Sequence, residues 1–203
     1  MKTTTAGILA AALLLASCTG GGSAAKPTAS TPSASASSPS PTPSATSPSP
    51  TSAEDQAVQN AEAVYRDYLR AQTTCLSEPR KTLPTCFDNV AIGDERNKRM
   101  QILRAAQEVD SKVSGDVTIV SIRTIKVDLT NKVNESPPTV PQVVFAVCMD
   151  VSKVNIVDKD GKSIVPPTRK PHVPVNVSVL NYKYPDPVQW RVGLVTDVRD
   201  ESC

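Results

Sequence analysis

Aromatic residues are scarce in this 203-residue chain: one Trp, four Tyr and two Phe, or 3% of the total. That scarcity argues against a sugar-stacking surface or an aromatic-rich interface. Histidine is rarer still. His172 stands alone between Pro171 and Val173, and no Gly-x-Ser-x-Gly elbow exists for it to serve, so it reads as a loop or strand-edge residue and not as a triad base. There is no glycine-rich phosphate loop and no His-Glu-x-x-His pair. Asp158-Lys159-Asp160-Gly161 is too short for a calcium loop and reads as a hairpin turn. No Cys-x₂-Cys pair occurs either, which removes the usual zinc spacing. The one sustained apolar run, Ala6 to Ala16, falls short of the roughly 20 residues that span a bilayer. No metal or other cofactor is therefore expected, and both a polytopic membrane protein and a multidomain enzyme are excluded.

Two segments precede the part of the chain able to fold. Residues 1–17 have a basic start at Lys2, then the apolar run, then small residues, which is the layout of a signal peptide. Residues 19–52 contain only Thr, Gly, Ser, Ala, Pro and one Lys, with seven prolines in 34 positions. Such a composition cannot bury enough apolar surface to offset the entropy of ordering. Spaced prolines as in Pro39-Ser40-Pro41-Thr42-Pro43 favour extended polyproline II at about 3.1 Å per residue. The expected organisation is a leader over 1–17, a tether over 18–52 and one globular domain over 53–203. Lys2 and Lys26 lie outside that domain, leaving it 20 basic and 20 acidic residues. A balanced domain of this kind is no electrostatic match for nucleic acid.

The junction Leu15-Ala16-Ser17-Cys18 resembles the bacterial lipobox. The resemblance implies that Cys18 is lipidated and begins the mature chain. It also implies an anchor in the lipid bilayer through N-terminal acyl chains, with the domain on the extracytoplasmic side of the cell membrane. An ordinary secretory cleavage with an incidental Cys18 is the alternative. Together with the tether, the junction looks like that of an actinobacterial lipoprotein.

Within the domain, Ser52 and Asp55 form a capping-box pattern ahead of a helix expected to reach Gln72. Ala57, Ala61, Val64 and Tyr68 supply its apolar stripe, widened by Tyr65 and Leu69. A second helix is expected over 94–113, stopped by Gly115. Beyond it the period changes to two. Strands are expected over 117–127, over 143–151 with a continuation through Val157, over 173–179, and from Trp190 to Val198. On the last strand Trp190, Val192, Leu194, Thr196 and Val198 would share one face, with Asp197 opposite. Helices first and antiparallel strands after indicate an α+β layer fold without βαβ units.

Helices ahead of about four strands, the motif Cys148-Met149-Asp150, the closing Trp190-Arg191-Val192 and a terminal Cys203 resemble the secreted NTF2-like (nuclear transport factor 2-like) cone-fold proteins. The resemblance implies N-terminal helices packed on one strongly curved antiparallel sheet. It further implies a pocket inside the cone, for which Asp150, Tyr65 and Tyr68 are the candidate residues, and possible homodimers formed through the sheet. With Cys18 set aside, four cysteines remain, and three connectivities are open. The expected pairs are Cys75–Cys86 and Cys148–Cys203, which would stabilise by roughly 3 and roughly 4 kcal/mol in the chain-entropy treatment. The functional expectation is a non-enzymatic module of the cell envelope that binds a protein partner or a small molecule. The alternative is an enzyme using Asp150 for acid–base chemistry in the cone.

Overall fold

A computed structural model describes residues 52–198 and Cys203. The expected leader, Cys18 and nearly all of the tether lie outside the described residues. Helix α1 spans Ala53–Ser77 and opens with a complete capping box: the Asp55 N–H donates to the Ser52 hydroxyl, and the Ser52 N–H donates to the Asp55 carboxylate. It runs five residues past the expected end at Gln72. Its buried face carries Ala57, Ala61, Tyr65, Tyr68 and Leu69, spaced to fall on one stripe. Helix α2 spans Gly93–Val109. It stops earlier than the sequence suggests because Asp110 takes the left-handed conformation (φ 53°), which ends the helix.

Six strands follow: β1 (Lys112–Ser114), β2 (Thr118–Asp128), β3 (Gln142–Asp150), β4 (Asn155–Val157), β5 (His172–Asn181) and β6 (Trp190–Asp197). They form two open antiparallel sheets, a four-stranded one in the order β2-β3-β5-β6 and a two-stranded one pairing β1 with β4. This overturns the expected NTF2-like cone, in which a single strongly curved sheet closes around a pocket; neither sheet here curls in that way. The diversion of β4 explains the difference. The chain turns after β3, with the Val154 N–H donating to the Val151 carbonyl. β4 then pairs with β1, a segment expected to be the tail of the second helix. Strand material that would lengthen and bend the main sheet goes instead to a separate ribbon.

Both helices contribute to one core with the inner face of the main sheet, where Val143, Phe145, Val147, Val175, Val177, Val179, Trp190 and Val192 are buried. Bulges determine which residues reach that face. Ser178 pairs with Leu194 but Val179 pairs with Val192, so Gly193 is skipped. An added Cβ at Gly193 would come within 2.5 Å of the Leu180 Cδ1, so any larger residue at this bulge must displace the Leu180 side chain. The skip reverses the parity of the second half of β6: Val195 and Asp197 join the inner face, while Leu194 and Thr196 turn outward. Two further bulges in β2, at Val120 and Ile125, keep Ile119, Ile122 and Val127 inward.

The free side of β6 is covered at Val192, whose N–H donates to the Val90 carbonyl and whose carbonyl accepts from the Ile92 N–H. Disulfides join Cys75 to Cys86 and Cys148 to Cys203. The second fixes the chain end to the outer face of β3. Residues 52–203 thus carry a core of their own and both cross-links, which meets the requirements for an independently folding unit.

Candidate functional site

A cleft of about 350 Å³ opens between the two helices and the Met149–Val173–Asp197 end of the inner sheet face. Its apolar wall comes from successive inward positions of the sheet, Met149, Val173 and Val175, joined by Val151 and Val154 from the turn after β3. The pairs Met149–Val173 and Val147–Val175 set this spacing. The volume lies at the small end of the range for small-molecule sites.

The opposite wall belongs to the helices. Tyr65 and Tyr68, one turn apart on α1, stack with ring centroids 6.1 Å apart. The Tyr65 hydroxyl donates to the Met149 sulfur at 3.1 Å, and the Tyr68 hydroxyl donates to the Glu95 carboxylate. Glu95, 1% exposed, also accepts from Arg99 Nε at 2.6 Å. Arg99 completes its contacts through Nη1, which donates to the Gln72 side-chain oxygen at 2.8 Å, and it stands 5.4 Å from the centre of the Tyr68 ring. Burial pushes both tyrosine hydroxyls well above the ordinary phenol range; the positive charge of Arg99 opposes this and Glu95 adds to it. Both phenols therefore remain protonated across the physiological range and serve as fixed donors.

Three cations line the cleft: Lys98 and Arg99 from α2, and Arg169 from the proline-rich segment before β5. Nη2 of Arg169 donates to the carbonyls of Val151 and Val154, each at 2.6 Å. These bonds tie the segment to the turn after β3 and hold the guanidinium at the rim. Asp197 brings one acid to the lining through the bulge at Gly193.

The candidate residues are therefore divided. Tyr65 and Tyr68 line the cleft, whereas Asp150 sits on the outer face of β3, opposite His172 on β5. Hydrogen bonds from Ser152, including its N–H at 2.7 Å, hold the Asp150 carboxyl below the usual carboxylate range, assisted by the charges of His172 and Lys153. A carboxylate so stabilised is a poor proton carrier at neutral pH, and Asp150 ends its strand with a turn instead. Residue patterns give no sign of Glu95, and Arg99 and Arg169 belong to the basic clusters Arg96-Lys98-Arg99 and Arg169-Lys170, which read as solvated surface. An acid on the helix face that also carries Arg99 four residues on is the one available signal, and such pairs are common on solvated surfaces.

Among the described residues no group of three or more His, Cys, Asp or Glu side chains gathers to hold a metal ion. No helix among them is long and apolar enough to cross a membrane.

No protein-family model matches the chain, and no curated protein matches it. Among solved structures it is similar to the intermembrane space region of chloroplast protein ARC6, at 10% identity and a TM-score of 0.45, over 69% of this chain and 95% of that one.

Proposed function

We propose that this protein is an extracytoplasmic lipoprotein, anchored through Cys18, whose folded domain is a non-enzymatic binding module for a small molecule. The observation that carries the binding reading is the cleft, apolar on its sheet side and furnished with fixed polar groups on its helix side. That combination suits selective capture. Its reactive inventory is poor: both tyrosine hydroxyls are engaged and held protonated, and Asp150 lies across the sheet. The lipobox-like Leu15-Ala16-Ser17-Cys18 supports the anchor. The cross-links Cys75–Cys86 and Cys148–Cys203 suit an oxidising compartment.

Two measurements test the proposal. Mass spectrometry of the mature protein is expected to find Cys18 first, carrying acyl chains; an N-terminus elsewhere or a bare thiol there overturns the anchor. Calorimetric titration of oxidised 52–203 with ten-carbon probes is expected to find one saturable site. Val173→Trp, which fills the cleft, should abolish it. Failure of every probe to bind overturns the binding reading.

A further inference from the structure

We infer that the cleft selects an amphipathic anion: an oxyanion head, carboxylate or phosphate, held between Lys98 and Arg169, with an apolar tail laid along the valine wall. This rests on the binding reading above and names the ligand class. The inference follows from which cations already have acid partners. Arg99 is neutralised by Glu95 inside the wall. Lys98 and Arg169 form no ion pair among the described residues, and Asp197 is the one acid lining the rim beside them. Of the five N–H donors on a guanidinium, Arg169 commits Nη2 to two carbonyls. Nε and Nη1 stay uncommitted among the described residues, on a group that Nη2 already holds in position. A preplaced guanidinium with free donors matches an oxyanion, because little rotamer freedom remains to be lost on binding.

Two other concavities spend their arginines on partners. In the one beside Asp88, Arg96 pairs with that carboxylate at 2.6 Å, and Arg191 is spent on the carbonyls of Asp88, Val188 and Trp190. In the one beside Asp116, Arg66 and Arg70 are paired with Glu62 and Asp67. Whereas the concavity that Arg123 lines beside Pro174 and Val198 offers about 170 Å³, at the valine-lined cleft uncommitted cationic donors coincide with a continuous apolar wall in about 350 Å³. An apolar tail there gains by leaving water, and its head meets charge where the wall ends.

The test titrates oxidised 52–203 with decanoate, decyl phosphate, decanol and decyltrimethylammonium, four probes sharing one tail. At least one anion is expected to bind about tenfold or more tightly than decanol, a difference of about 1.4 kcal/mol. Preference between decanoate and decyl phosphate identifies the head as carboxylate or phosphate, and either preference supports the inference. The anion's advantage should shrink as salt rises. Lys98→Gln should weaken the anion about tenfold and leave decanol unchanged, and Arg169→Gln, which also releases the turn at Val151 and Val154, should weaken the anion more than decanol. Lys98 is exposed, so its variant serves if Arg169→Gln fails to fold. Decanol or the ammonium probe binding as tightly as both anions overturns the inference while the cleft stands as a binding site. Absence of binding by all four removes the binding reading itself.

Discussion

Glu95 is the one charged residue among the described buried positions, and its two partners explain how it is tolerated. Its carboxylate accepts from the Tyr68 hydroxyl and from Arg99 Nε, and the guanidinium continues to Gln72. A buried carboxylate without such partners would carry a desolvation penalty of several kcal/mol. Removing the acid alone strands the others: Arg99 keeps its charge with 13% of its side chain exposed. Glu95→Ala is therefore expected to lower unfolding free energy by about 3–5 kcal/mol. Glu95→Gln, which keeps an acceptor for Tyr68, should lose less. The double variant Glu95→Ala, Arg99→Ala should recover part of the loss, because no unpaired charge remains. Urea unfolding of the parent, these three variants and Arg99→Ala measures this. Additive losses would mean that the pair does not interact in the folded state.

At the scale of the element, the short ribbon β1–β4 depends on one backbone approach. Gly115 follows β1 with φ at +76°, and a Cβ built there would overlap the Lys153 carbonyl oxygen. The Thr73 hydroxyl, near the end of α1, donates to the Gly115 carbonyl at 3.3 Å, so helix, ribbon and turn meet at this residue. Gly161 has a similar φ of +79° but open space around it. The two positions separate conformational strain from collision. Gly161→Ala is expected to lose about 1 kcal/mol from the left-handed backbone alone. Gly115→Ala should lose at least about 2 kcal/mol, since backbone must also move. Unfolding midpoints of the two variants check the order, and equal losses would show that the approach of Lys153 does not matter.

For the whole molecule, the cross-links act at different ranges. Cys75–Cys86 spans 11 residues and closes the irregular stretch between α1 and α2. Cys148–Cys203 spans 55 and fixes the chain terminus to the centre of the main sheet. Closing the longer loop removes more freedom from the unfolded chain. Cys148→Ser with Cys203→Ser is thus expected to lose about 4 kcal/mol, and Cys75→Ser with Cys86→Ser about 3 kcal/mol. Denaturant unfolding compares them. Only the first pair should also make the terminus sensitive to protease without global unfolding.

Much of this molecule is local and was legible as pattern. The Ser52–Asp55 cap, the stripe through Ala57, Ala61 and Tyr68, and the alternating valines of β3 and β5 are each set by near neighbours and by a period of 3.6 or 2. Cysteine number left the pairings open, because connectivity is a question of which residues meet in space. What local pattern could not contain was the partner of each segment. The stretch after Val109 reads as helix until Asp110 turns left-handed and β1 pairs with β4. The apolar run past β3 reads as one long strand until the turn at Val151–Val154 diverts it. The bulge at Gly193 reverses the faces of β6 and carries Asp197 to the cleft. Asp150, Tyr65 and Tyr68 looked alike as polar candidates, yet the sheet itself separates the acid from the tyrosines. Which residues can be helix, strand and core depends on neighbours along the chain, so the residue pattern contains it. The tertiary structure alone decided the open sheets, the buried Glu95–Arg99 pair and the cationic rim of the cleft, since these depend on contacts between residues far apart in the chain.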